Sequence, residues 1–281
     1  MRATAACLYK GFWGRSLDEF KRLANIAFKL EGIKGPSGPM PLHNFHTAES
    51  LKEAKVMSDA DIGGFSKATL DWIPPPGSAS ASAPGAARDA GGPGSGTGQG
   101  YAHFHGTIST ALPPDRPQIQ RSGFAAWRTL DRPRTLFGRG TWDIDMYTYL
   151  ALRVRSDGRS WLVNVQTESL EPTDLHQHRL YVRRPGAWET VLIRWNDFVR
   201  TNHGFVVEPQ AEMLRQSVRS VGLGLTDRVP GPFDLAVDRI WATNDASEAD
   251  ADPPDADPLG RPPREGQLRD KQGRNIAWSD K

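Results

Sequence analysis

The chain has 281 residues, room for one or two domains, with a formal net charge of +2 and a single cysteine, Cys7. So small a charge gives no electrostatic case for a nucleic-acid partner, and one cysteine excludes an intramolecular disulfide framework. No run reaches the roughly eighteen apolar residues of a spanning helix, so the expectation is a soluble or peripheral protein.

The first stretch, MRATAACLYKGFWGRSL, carries Arg2, Lys10 and Arg15 and no acid, the composition of a mitochondrial presequence. Ser16 and Glu19 have the spacing of a capping box, which predicts a helix over 16–31. Leu17, Phe20, Leu23, Ala24, Ala27, Phe28 and Leu30 fall on one side of it, with Asp18, Lys21, Arg22, Asn25 and Lys29 opposite. Such a helix can dock on a partner or a membrane surface, or fold onto its own domain; both readings stand at this point. Residues 1–45 are therefore set apart as an N-terminal extension.

In the next stretch, VMSDADIGGFSKATLDW, the Gly63-Gly64 pair invites comparison with a phosphate-cradling loop. That chemistry needs an apolar strand before the glycines and an amphipathic helix after them. Here Phe65, Ala68, Leu70 and Trp72 follow, spaced mostly by two, so the pair reads as a turn into a strand with Phe65 or Trp72 packing inward. Residues 73–100, IPPPGSASASAPGAARDAGGPGSGTGQG, offer almost nothing to bury and are expected to be a disordered insertion.

Strand patterns then follow one another: YAHFHGTIST, YTYLALRVRS, RSWLVNVQTES, HRLYVRR, AWETVLIRW, SVRSVGLGL and FDLAVDRIWAT. Asp157-Gly158 reads as a hairpin turn, and Pro185-Gly186 as a second turn. Short strands without long helices between them indicate an all-β sandwich of two antiparallel sheets over 46–243. QAEMLRQSV is the one internal helix expected. Beyond Thr243 an acidic run and then a basic one, residues 244–281, read as a flexible tail.

Reactive constellations are sparse. His103 and His105, like His176 and His178, are spaced to share one strand face and could offer two imidazoles to a metal, but no acid lies close behind the first pair, and the second sits in EPTDLHQHRL, which resembles a loop entering a strand. Asp143 and Asp145 read as solvent-facing acids at a strand start. No nucleophile elbow precedes a helix, so neither a catalytic set, a cofactor nor a metal is expected. What alternation does send outward is a set rich in Arg, Tyr and amides: Arg153, Arg155, Asn164, Gln166, Arg179, Tyr181, Arg183 and Arg194. Such residues are frequent where proteins bind proteins, and sugar-binding faces use similar groups.

The blocks SDADIGGFSKATL, AHFHGTIS, RSGFAAWRT, YTYLALRVRSDGRSWLVNVQTES, WETVLIRWNDFV and VGLGLTDRVPGPFDLAVDRI occur in an order that resembles the complex I intermediate-associated protein family, mitochondrial assembly factors for NADH:ubiquinone oxidoreductase. The resemblance runs over 56–243, leaving out 73–100. It implies a galactose-binding-like jelly roll and a non-catalytic matrix protein peripherally associated with the inner membrane. It also implies binding to a membrane-arm intermediate of complex I, alongside other assembly factors, and brings no catalytic residues. Jelly rolls of this kind also serve as carbohydrate-binding modules, which is the alternative reading.

Overall fold

The computed structural model describes residues 11–28, 38–75 and 99–249, apart from 117, 120, 137, 170 and 172, together with 268–269 and 275–276. Cys7 and most of the presequence-like stretch, 76–98 of the insertion, and most of the tail beyond 249 lie outside the described residues. Helix α1 is Phe12–Phe28, followed by β1 (Met40–Asn44), β2 (Ala54–Ser58), β3 (Lys67–Ile73), β4 (Tyr101–Ile108) and β5 (Ala125–Thr129). Next come β6 (Arg132–Thr135), β7 (Gly138–Gly140), β8 (Tyr149–Ser156), β9 (Trp161–Thr167), β10 (Asp174–Arg179) and β11 (Trp188–Arg194). The series continues with β12 (Val199–Asn202), β13 (Phe205–Val206), β14 (Val218–Leu225) and β15 (Gly231–Thr243). Residues 250–281 are a separate unit, whose described part is an antiparallel pair, β16 (Leu268–Arg269) with β17 (Asn275–Ile276).

Two antiparallel sheets make a β-sandwich of jelly-roll type. The six-stranded sheet runs β11-β8-β15-β4-β3, with β1 also on β15; the seven-stranded sheet runs β13-β12-β10-β9-β14-β5-β2. Alternation explains the core: Leu150, Leu152 and Val154 of β8 point to the same interior as Trp161, Val163 and Val165 of β9. Phe104, Trp161 and Phe233 meet there with centroids 5.1 to 5.9 Å apart, so both sheets share aromatic contacts.

The expected 157–158 hairpin is corrected. Gly158 does take the left-handed conformation a tight turn needs, at φ 87°. Yet β8 pairs with β11 and β15 while β9 pairs with β10 and β14, so the turn is an arch between sheets. Asp157 serves that arch by accepting from the Trp161 indole at 2.8 Å. The strand expected at 178–184 lies earlier, at Asp174–Arg179, which leaves Tyr181 and Arg183 in the following loop. QAEMLRQSV holds only a 3-10 turn, Arg215–Ser217, before β14 begins.

Asp59–Ile62 forms a 3-10 turn with a capping box between its N-cap Ser58 and Asp61, closed by Gly63 at φ 99°. Asp59 is wholly buried and accepts from Ser66 N at 2.8 Å, Ser66 Oγ at 2.9 Å and Gly123 N at 2.6 Å. Backbone N–H groups that an external anion would need are thus directed at the protein's own carboxylate. A Cβ on Gly64 would sit 2.5 Å from Asp59 Cγ, which is why glycine stands there. Trp72 packs inward and donates to Phe45 O at 3.0 Å, whereas Phe65 is exposed, so of the two expected anchors only Trp72 serves.

Helix α1 starts earlier than its capping signal predicts. Arg15 N reaches Gly11 O at 3.1 Å, and Ser16 lies inside the helix, donating to Phe12 O at 2.9 Å and accepting from Leu136 N at 3.0 Å. Ser16 therefore anchors the β6–β7 hairpin instead of capping. Phe12, Trp13, Leu17 and Phe20 are exposed, Trp13 at 76%, and so are Asp18 and Lys21, whereas Ser16 is buried and Arg15 and Glu19 are half-buried, so the side by which the helix meets the domain includes these three.

Past Thr243 the domain continues. Asn244 Oδ1 accepts from Thr148 N and Oγ1 at 2.8 and 2.9 Å, and Glu248 accepts from the Trp241 indole and from Thr243 Oγ1. The start of the supposed tail, Asn244 and Glu248, is thus hydrogen-bonded to the sandwich.

Candidate functional site

The eight residues that alternation sends outward do not form one surface. Arg153, Arg155 and Arg194 stand on the outer side of the six-stranded sheet, as their cross-strand partners Thr190, Trp188 and Tyr149 show. Asn164, Gln166 and Arg179 stand on the outer side of the other sheet, because their neighbours Trp161, Val163 and Val165 fill the core. Tyr181 and Arg183 lie between, in the loop leading to β11.

On the seven-stranded side the amides satisfy one another. Gln177 Nε2 donates to Asn164 Oδ1 at 2.7 Å, Thr201 Oγ1 donates to Gln177 Oε1 at 2.9 Å, and Ser220 Oγ donates to Gln166 Oε1 at 3.3 Å. Gly222 and Gly224 bring β14 close to its neighbours here, where a Cβ on Gly222 would lie 2.2 Å from Trp127 O. The result is a smooth surface whose polar groups are largely spent.

Across the sandwich, cations lie on rings. The Arg155 guanidinium sits 5.8 Å from the Tyr101 centroid and 5.7 Å from that of Trp188, two rings that meet edge-on at 5.1 Å. Arg239, on β15, covers Trp241 at 4.3 Å. Sequence reading missed Arg239 because a bulge between Val237 and Arg239 shifts the alternation by one and buries Asp238 in its place. Arg153 donates to Thr190 Oγ1 at 3.3 Å. Arg179 covers Tyr181 at 5.4 Å, and both line a slot of about 170 Å³ with Arg183 and Glu189–Ile193 along β11.

The histidine pairs part company. His103 and His105 stack at 4.6 Å on the outer side of β4, and each is bound to an aspartate from a flanking strand, Asp234 at 2.6 Å and Asp71 at 2.8 Å. No acid follows the pair closely along the chain; these two are remote in sequence and are brought to it by the flanking strands. The His103 hydrogen bond, opposed by burial and aided by the charges of His103, Arg155 and His105, holds the Asp234 carboxyl below the ordinary carboxylate range. His176 and His178 point toward the interior instead, His176 with its pKa lowered chiefly by burial and His178 packed on Phe198 and Tyr181. Among the described residues no group of three or more His, Cys, Asp or Glu side chains is placed to hold a metal ion.

A cleft of about 690 Å³ opens between α1, β1 and the β6–β7 hairpin, lined by Arg15, Glu19, His43, Glu53, Arg132 and Trp142 among others. Burial pushes His43 down to about 4, so its imidazole is neutral at physiological pH. Asp131, at the same cleft, is closed on Arg128 at 3.1 Å and Arg219 at 2.5 Å, which hold its carboxyl low against the opposing effect of burial. This cleft carries structural ion pairs and presents no convergent reactive set.

Solved structures with a similar arrangement include a family 11 carbohydrate-binding module from Clostridium thermocellum in complex with a mixed-linked tetrasaccharide, 13% identical, covering 74% of this chain and 97% of that one at a TM-score of 0.46. The same family's module of the cellulase Lic26A-Cel5E is 12% identical, covering 75% and 96% at a TM-score of 0.48. Sequence relatives are nearer. The mitochondrial complex I intermediate-associated protein 30 of Neurospora crassa is 55% identical over 98% of this chain and 96% of its own. The mouse protein of that name is 27% identical over 86% of this chain and 70% of its own. The family description Complex I intermediate-associated protein 30 (CIA30) matches residues 43–237, which span both sheets from β1 into β15. This chain belongs to the complex I intermediate-associated protein 30 family.

Proposed function

We propose that the protein is a non-catalytic assembly factor that holds a membrane-arm intermediate of complex I on the matrix side of the mitochondrial inner membrane. The observation that carries this is the 55% identity, over nearly the whole chain, to a mitochondrial relative named for association with a complex I intermediate. The described polar groups favour binding over chemistry: the outer histidines are closed on aspartates, and Asp59 and Asp131 on the protein's own donors. Membrane proximity is supported by α1. Its Trp13, Leu17 and Phe20 recur at i, i+4 and i+7 on the exposed side, beside exposed Leu136 of the hairpin that Ser16 anchors. Aromatic and apolar side chains on one side of a surface helix are suited to a membrane interface. Among the described residues no helix is long and apolar enough to cross a membrane.

Mitochondria lacking the protein should lose mature complex I while other respiratory complexes persist, read on native gels. Undiminished complex I would refute the assignment. Complementation with a Leu17→Asp/Phe20→Asp chain should restore folded protein in the soluble fraction, whereas the parent sediments with membranes.

A further inference from the structure

Arginines in this sandwich are held in two ways. Arg159, Arg200 and Arg219 close on aspartates at 2.8, 2.6 and 2.5 Å. Arg155, Arg179 and Arg239 lie over aromatic rings, and among the described residues none of the three has an acid within ion-pair distance. A guanidinium laid on a ring has lost rotamer freedom before any partner arrives, and its N–H fork is still unspent. Less ordering is then left for binding to cost.

Two of these arginines share the outer side of the six-stranded sheet, with Arg153 between them by register and Arg194 at the end of β11. Outward positions of β8, β11 and β15 carry one acid against these four cations. That acid, Asp234, is held by His103, and the acids that flank these strands are spent in the same way, Asp71 on His105 and Glu248 on the Trp241 indole and Thr243 Oγ1. On these three strands the outward cations outnumber the acids, although the whole chain carries only +2.

We propose that this face docks an acidic segment of a partner protein, its Asp and Glu carboxylates taken by the stacked guanidinium forks of Arg155 and Arg239. The identity of the partner rests on the assembly-factor reading; the chemistry of the face does not. Carboxylate suits a planar two-pronged donor, and the charge is complementary. A nucleic acid fits poorly, because Trp188 and Trp241 are 7% and 5% exposed beneath their arginines and offer no open ring for base stacking. A lipid surface fits poorly too, because among the described residues no exposed large apolar side chain stands on the outward positions of β8, β11 or β15.

The test is fluorescence anisotropy with a labelled peptide of alternating Glu and Ser, and its Gln-Ser counterpart as the neutral probe. The full-length protein should bind the acidic peptide, more weakly as salt rises, and ignore the neutral one. Arg155→Glu/Arg239→Glu should weaken binding by about tenfold or more, the scale of losing an interface anchor. Arg134→Glu, on the exposed β6 strand, should bind as the parent does. Equal binding by the double variant, or an equal loss in Arg134→Glu, overturns the proposal. So does displacement of the peptide by vesicles of phosphatidylcholine with anionic phosphatidylglycerol. Should charge reversal prevent folding, Arg155→Lys/Arg239→Lys keeps the charge and removes the planar fork. Several-fold weaker binding with an unchanged melting temperature supports the planar fork; undiminished binding overturns it. Purification of the parent from mitochondria separates the two readings: peptide binding without recovery of complex I subunits leaves the face standing and removes the assembly function.

Discussion

The two outer faces of this sandwich are built from the same alternation and end in opposite chemical states. On the seven-stranded side, Asn164, Gln166, Gln177, Thr201 and Ser220 form hydrogen bonds of 2.7 to 3.3 Å among themselves. On the six-stranded side, Arg155 and Arg239 are stacked on Tyr101, Trp188 and Trp241, with their donors left over. A polar group already paired within the protein gains little from a partner, since binding only exchanges one hydrogen bond for another. A stacked guanidinium gains a charge-assisted bond while losing little freedom. Outward polarity alone therefore does not mark a binding face; the state of each donor does.

Both faces depend on one buried connection. Asp59 lies between β2 of the seven-stranded sheet and β3 of the six-stranded sheet, and holds Ser66 and Gly123. Asp59→Ala would strand two buried N–H groups, of Ser66 and Gly123, at about 1 to 3 kcal/mol each, while the Ser66 hydroxyl turns to Ser109 O. We expect a loss of about 3 to 5 kcal/mol in denaturant unfolding, with both faces disordered together. A loss below about 1 kcal/mol would show that the sheets hold their registers without this knot.

Acid should act next most strongly, through a buried histidine in each sheet. His43 on β1 has its pKa lowered to about 4 by burial, and His176 on β10 is lowered in the same direction. For a base depressed in the folded state, the unfolded chain binds the extra proton. Stability is therefore whole above the unfolded value near 6.5 and falls as the pH drops toward 4. For His43 alone the loss from pH 7 to pH 5 is about 2 kcal/mol. His43→Gln should flatten that part of the curve, and His176→Gln a further part. A parent whose melting temperature is level between pH 7 and 5 would contradict the burial of both rings. Retention of the acidic peptide, by contrast, should change little over this range, because arginines do not titrate there.

The sandwich was legible in the sequence because Leu150, Leu152 and Val154, or Trp161, Val163 and Val165, repeat at the period of a half-buried strand. Pairing was not. Asp157-Gly158 needs the same left-handed glycine whether the chain returns within a sheet or arches to the other, so the turn signal carries no sheet assignment. Arg239 was hidden by the bulge at Asp238, and the acids of His103 and His105 by distance along the chain. Ser16 misled for a different reason: its hydroxyl serves Leu136 across the fold, a use that the local capping pattern cannot distinguish from its own.

The smallest effect should come from the amide face, and it separates the two faces most cleanly. Gln177 accepts from Thr201 and donates to Asn164, so Gln177→Ala breaks two neutral hydrogen bonds in a half-exposed layer that water can re-enter. About 1 kcal/mol of stability should be lost, read as a shift in the urea midpoint at constant slope. Acidic-peptide binding and recovery of complex I subunits should match the parent, since no stacked arginine is touched. If Gln177→Ala instead releases the partner while leaving the urea midpoint in place, the amides are contact groups, and the distinction between spent and unspent donors does not govern where this protein binds.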